Sequence, residues 1–222
     1  VSHEMDWHAV WLQAPQLAKG LVFTLQIAFA GYAASLVLGL LVALLRMSPW
    51  WPLRSLAFAY TQFFRAISIY IYVIWIYFGL TMVTGLDLTP FAASVISIAL
   101  LHSAYLSEVY RAAIQGVDKG QREAAGSLGL GRVSTFFEIV LPQAMLVAVP
   151  QLVSQFAMIV KDSAVVALIG ASDLMAETIR AANLEHRTFE FYTTAALVYL
   201  ALVIAVSRLG RLLERRLSRQ AH

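Results

Sequence analysis

Apolar and polar positions along this chain separate into long blocks. Five stretches carry no formal charge at all, residues 20–45, 66–86, 88–107, 139–160 and 191–207. A hydrocarbon core about 30 Å thick takes about 20 apolar residues of helix to cross, and the blocks are close to that length. With their flanks they predict five transmembrane helices at about 20–45, 56–84, 88–110, 143–170 and 190–209. The second gains the apolar run 55–64, reaching back through Arg65, and the fourth continues past Lys161 and Asp162 to about Gly170. No internal repeat or low-complexity tract interrupts the pattern. The chain reads as an all-α membrane protein, with residues 1–222 forming one transmembrane domain.

Composition agrees. Hydrophobic residues make up 60% of the chain and charged residues 13%, against about 25% charged in a soluble domain. There is no cysteine, which removes disulfides, cysteine-held zinc and thiol nucleophiles. The net charge of +3 does not indicate nucleic acid, because the basic residues flank apolar runs and do not sit among exposed aromatics. The first nineteen residues hold Glu4, Asp6 and one lysine, so they lack the basic start of a signal peptide.

An odd number of spans puts the termini on opposite sides, and the positive charges then choose between two orientations. Residues 46–54, 111–142 and the tail from 208 together carry eleven Lys and Arg, whereas the opposite side carries three, Lys19, Arg180 and Arg187. The bias predicts a cytoplasmic C-terminus, a cytoplasmic 111–142 loop and a periplasmic N-terminus. The basic tail 208–222 places Leu209, Leu212, Leu213 and Leu217 on one helical face and arginines on the other, the pattern of a stop-transfer helix lying on anionic headgroups.

Within the cytoplasmic loop, residues 123–142 read EAAGSLGLGRVSTFFEIVLP. Glu123, Ala124 and Ala125 suit the start of a short helix, with the acid near its positive end. Gly129 and Gly131 suit its termination, and Pro142 suits the first turn of the next helix. An ordinary helical linker satisfies the same propensities, so spacing decides. Glu123, Ala124, Ala125, Gly129, Ile139, Leu141 and Pro142 occupy every defined position of the EAA loop of ABC-transporter permeases.

The resemblance extends over nearly the whole chain, through TLQIAFAGYAASLVLGLLVALLRMS at 24–48, FFR at 63–65, YLSEVYRAAIQGV at 105–117 and VKDSAVVALIGASDL at 160–174. The sequence is similar to the polar amino-acid permease family, which serves histidine, glutamate, glutamine, arginine and opines. The resemblance implies a type I ABC importer permease fold in a bacterial inner membrane. It implies pairing with a second, identical or sister, permease subunit, two ATP-binding subunits below, and a periplasmic solute-binding protein above. In the family the EAA helix docks in a cleft on the ATPase and moves with it as a rigid lever. At one place the sequence departs from the family, in which the Phe-Arg pair is followed by Gly-Thr-Pro-Leu. Here Phe64 and Arg65 are followed by Ala66, Ile67, Ser68 and Ile69, which gives the second span less reason to break.

The chain has no G-x-x-x-x-G-K-[ST] loop, so ATP falls to a partner subunit and the protein is expected to be no enzyme by itself and to carry no cofactor. Solute contacts are sought among ionisable groups at membrane depth, where an unpaired charge costs several kcal/mol. Arg65, Glu108, Lys161 and Asp162 are the candidates. Lys161 and Asp162 are adjacent, so about 100° of helical rotation separates them and they do not form a simple pair. A cation for the carboxylate and an acid for the ammonium would suit a zwitterion. The same charges also suit structural ion pairs or snorkelling. We read Tyr70, Tyr72, Trp75 and Tyr77 as belt or packing aromatics, and His102 as a satisfied core histidine in preference to a ligand or proton relay.

Two rival functions use other residues. An intramembrane serine protease would need the GAS at 170–172 and His102, with no second acid–base partner in view. An ion- or proton-coupled carrier would relay through Glu108, Asp162 and His102, but such carriers commonly contain internal repeats, and this chain has none.

Overall fold

The computed structural model describes the backbone of residues 6–220 and the side chains of residues 6–212. Glu4 and the tail side chains Leu213, Arg215, Arg216, Leu217 and Arg219 fall outside that description. Every regular element among the described residues is helical. In chain order they are α1 (His8–Arg46), α2 (Trp51–Ala66), α3 (Ile69–Thr84), α4 (Pro90–Gln115), α5 (Lys119–Ser127), α6 (Arg132–Ile169), α7 (Leu174–Glu185) and α8 (Thr188–Gln220). Four of these, α1, α4, α6 and α8, are long and apolar enough to cross a membrane, and the bent pair α2–α3 makes up to five when its two halves are counted as one broken span.

The first helix begins at His8, well before the apolar block at residue 20. Lys19 lies on an exposed face of the helix, so a charge that ends an apolar window leaves the helix intact. At 39 residues α1 is about 58 Å long, and its early turns pack Ala9 and Leu17 against Leu174, Ala181, Ala182 and Phe191 of α7 and α8.

The second crossing breaks in spite of lacking the family's glycine and proline. Ile67 and Ser68 both adopt extended backbone, and α2 and α3 meet at 102°. Aromatic packing holds the corner: the Tyr72 hydroxyl donates to the Phe63 carbonyl at 3.1 Å, and its ring stacks on Phe64 at 5.1 Å. The freed carbonyl thus finds a donor, as a break at membrane depth demands.

The main seam runs between α1 and α4. Gly31, Ser35 and Gly39 recur every four residues and are all buried, the small-xxx-small spacing that lets helix backbones approach closely. A Cβ at Gly31 would sit 2.6 Å from Ile98 Cγ2, and one at Gly39 would sit 2.8 Å from Leu106 Cβ. Above this seam Ile27, Ala28 and Ile98 join Ile159, Val160, Val166 and Ala171 of the α6 region in a shared core. Outward faces stay apolar, with Val22, Phe29, Val37 and Leu41 of α1 all more than half exposed, as lipid-facing positions require.

Helix α6 departs from ideal geometry twice. Thr135–Val140 forms a wide π turn directly before Leu141 and Pro142, and Ser163–Ile169 winds as a tighter 3₁₀ stretch beyond Asp162. Pro142 stands in the first turn of the α-helical stretch Leu141–Asp162, as its position predicts, but that stretch continues a helical run that already begins at Arg132. The wide turn accommodates its ring and missing N–H inside a continuous helical run. Helix α7 was not anticipated. Asp173 starts it by accepting from the backbone N–H groups of Met175 at 3.2 Å and Ala176 at 2.9 Å, as an N-cap does.

Candidate functional site

The loop carrying EAAGSLGLG folds as α5. Its capping acid is Asp118, whose side chain accepts from the Gly120 N–H at 2.6 Å, and Glu123 lies further along on the exposed side. Ala124 is exposed and Ala125 is buried, 1% accessible. The helix ends in a Schellman motif, in which the Leu130 N–H donates to the Ala125 carbonyl at 3.1 Å and the Gly129 N–H donates to that of Gly126 at 3.0 Å. Gly129 takes φ +78 there, the left-handed region where glycine carries no Cβ penalty.

From this turn the chain passes into α6, where Ile139 and Leu141 are half-buried and Pro142 is exposed. Between them Val140 joins Ala144, Ala148, Ala113 and Val117 in a core that fastens the loop to the end of α4. The outer surface is different. Leu128 and Val133 are 80% and 71% exposed, in a connection that the charge bias sets outside the bilayer.

Four arginine and glutamate side chains meet near the end of α4. Glu108 accepts from Arg46 of α1, and from Arg111 Nε and Nη2 at 2.9 and 2.8 Å. Arg65 of α2 lies 3.9 Å from the same carboxylate. Arg46 also donates to the buried Thr61 hydroxyl at 2.8 Å, so three helices are tied through one glutamate. Sequence reasoning found Arg65 and Glu108 here but had counted Arg46 and Arg111 only as topology charges.

The other two candidates lie on α6. Lys161 is exposed and has no ion-pair partner among the described residues. Asp162 is half-buried and faces α4, its Oδ2 3.1 Å from Nε2 of His102. His102 is 1% exposed and its Nδ1 lies 2.9 Å from Nε2 of Gln155. Tyr105 joins the two groups of charges: its ring centroid is 6.3 Å from that of His102 and 5.2 Å from the Arg65 guanidinium carbon. Asp162, His102, Tyr105, Arg65 and Glu108 therefore form one polar track along α4. Gln155 went unnoticed in the sequence, and its signal was a primary amide inside an otherwise apolar run.

A helical membrane protein with a broken second crossing, a capped short helix on a loop and a polar track between spans is built as a transporter subunit. Residues 35–219 match the family model described as "Binding-protein-dependent transport system inner membrane component", and the chain belongs to that family. It is an ABC-transporter permease subunit. The arginine transport system permease protein ArtQ of Bacillus subtilis is 33% identical over 213 residues, covering 96% of this chain and 97% of the relative. The glutamine transport system permease protein GlnP of Escherichia coli is 34% identical over 217 residues, covering 96% of this chain and 98% of the relative. A solved structure described as an amino acid ABC transporter with histidines superposes with a TM-score of 0.91 at 33% identity, covering 96% of this chain and 99% of that one. The MetNI methionine ABC transporter in an inward-facing conformation shares the fold, with a TM-score of 0.78 at 19% identity.

Proposed function

We propose that this chain imports a polar amino acid or related small zwitterion across a bacterial inner membrane, as one permease of a pair. Energy comes from a dimer of separate ATP-binding subunits on the cytoplasmic side, and solute arrives from a periplasmic binding protein. The observation that carries this reading is the agreement, at a TM-score of 0.91 over 96% of the chain, with an amino acid ABC transporter.

The chain acts as one transmembrane domain in this reading, with 111–142 as the cytoplasmic coupling loop and 208–222 as a basic tail against the headgroups. Glu123, Ala124, Ala125 and Gly129 present a rigid, capped helix to the ATPase, while Ile139, Leu141 and Pro142 fix the angle at which α6 leaves it. The exposed Leu128 and Val133 supply apolar contact for that partner. Asp162 takes the ammonium of the solute and Lys161 its carboxylate, while Arg65 and Glu108 line the track as a charge lock between helices.

Reconstitution tests the reading. The permease, its ATPase and its binding protein are placed in proteoliposomes and supplied with labelled L-arginine, L-glutamine, L-histidine and L-glutamate. ATP-dependent uptake of at least one is expected. Uptake that persists without the ATPase, driven by an ion gradient, would overturn it in favour of a carrier.

A further inference from the structure

His102 is a buried polar side chain on α4, 1% exposed. It projects from α4 between two side chains of α6, Gln155 and Asp162, which stand two turns apart on one face. With the Gln155 amide nitrogen placed against Nδ1 at 2.9 Å, a neutral ring accepts there and carries its proton on Nε2. That proton faces the Asp162 carboxylate across 3.1 Å. The distance suits a hydrogen bond, yet the alignment does not, and buried Nε2 has no other partner among the described residues. A buried donor in this position is costly to leave unpaired.

Asp162 has its own need for such a donor. It stands where the α-helical ladder of α6 gives way to the tighter Ser163–Ile169 turns, and the carbonyl-rich end of an α-helical ladder disfavours a carboxylate. Asp162 keeps 30% of its side chain accessible, and the neighbouring Lys161 is exposed. Asp162 Oδ2 thus stands within 3.1 Å of the imidazole while the carboxylate as a whole stays partly open.

We propose that His102, held in one tautomer by Gln155, is a positioning residue that fixes the Asp162 carboxylate in the orientation that receives the solute's ammonium group. The inference rests on the reading of Asp162 as the ammonium ligand. It makes His102 a determinant of selectivity for solutes bearing an α-amino group over the same molecules without one. Because His102 never touches the solute, its removal affects binding and leaves the turnover of the assembled transporter in place.

The test uses the assembled transporter in proteoliposomes, with L-glutamine as the probe or whichever of the four amino acids is taken up best. His102→Leu is expected to raise KM about tenfold, leave the maximal rate within about twofold, and weaken discrimination against the des-amino analogue as competitor. His102→Gln, whose amide N–H₂ reaches toward the place of Nε2, is expected to restore most of the affinity. An unchanged KM in His102→Leu, alongside a raised KM in Asp162→Asn, would overturn the role of His102 and leave that of Asp162 standing. An unchanged KM in Asp162→Asn would overturn the reading of Asp162 itself, and this inference with it. Should His102→Leu fail to assemble, Gln155→Met releases the tautomer while keeping the imidazole, and a raised KM or an unchanged one then decides in the same way.

Discussion

Arg46 in the last turn of α1 donates to Glu108 on α4, and the same guanidinium nitrogen reaches Thr61 on α2. One glutamate thus neutralises part of a cluster of three arginines. Glu108→Gln leaves Arg46, Arg65 and Arg111 facing one another across a partly buried junction. The expected outcome is a loss of about 1–3 kcal/mol, read as a fall in the thermal midpoint of the detergent-solubilised protein. A double-mutant cycle with Arg46→Gln should show coupling, since the two side chains share one contact. Strict additivity would count against the lock.

Close approach of α1 to α4 predicts a second effect. Gly39→Ala places a methyl 2.8 Å from Leu106 Cβ and 3.1 Å from the Ser103 carbonyl, and neither neighbour is the loose end of a side chain. Overpacking of this kind costs about 1–3 kcal/mol. Gly126→Ala, where an added Cβ meets nothing within 4 Å, serves as the control. The thermal midpoint should fall for Gly39→Ala and hold for Gly126→Ala.

Gly129 separates coupling from folding. A substitution at φ +78 costs about 1–2 kcal/mol locally, yet the surrounding space is open. Gly129→Asp should therefore insert into the membrane and keep its spans while losing copurification with the ATPase and most of its uptake. Gly131→Asp, two residues on at an ordinary φ of −67, should be milder. Equal transport by the two variants would remove the cap from the coupling argument.

The start of α7 predicts a pH dependence. Burial pushes the Asp173 carboxyl up to about 6, against the pull of the Ala176 and Met175 N–H groups and the Tyr199 hydroxyl. Its folded-state pKa lies above the unfolded value of 3.8, so the folded protein holds the proton longer. This group's contribution is most favourable at low pH, declines as pH rises from about 4 to about 6, and is flat above that. Asp173→Asn keeps a capping oxygen and should flatten that part of the midpoint-against-pH curve. A slope identical to that of the parent protein would mean the carboxyl does not titrate there.

Much of this architecture is visible in the pattern of charges and apolar blocks, because a span must exclude charge and the EAA spacing is fixed. Three features are hidden for distinct physical reasons. Lys19 cut the first block at residue 20, although a lysine on an exposed helical face costs the helix little. The corner at Ile67–Ser68 comes from Tyr72 and Phe64 packing across it, a tertiary contact that no breaker residue announces. The links of Asp162 to His102 and of Glu108 to Arg46 span separations of 60 and 62 residues, and only folding brings them within reach. By contrast, the small-residue recurrence Gly31, Ser35, Gly39 and the Asp173 N-cap are present in the sequence itself, and a search at those spacings finds them.

Helix α6 begins at Arg132 beside the capped turn and does not stop until it has passed Lys161 and Asp162. A single helical run of 38 residues therefore includes both the foot beside the capped turn and the carboxylate, with no slack connection between them. In the proposed transport cycle, twist or tilt applied at its foot passes toward Asp162 through this run, which departs from regular α-helix at the wide turn of Thr135–Val140 and carries Pro150 inside it. Those two places set how much of the torque arrives.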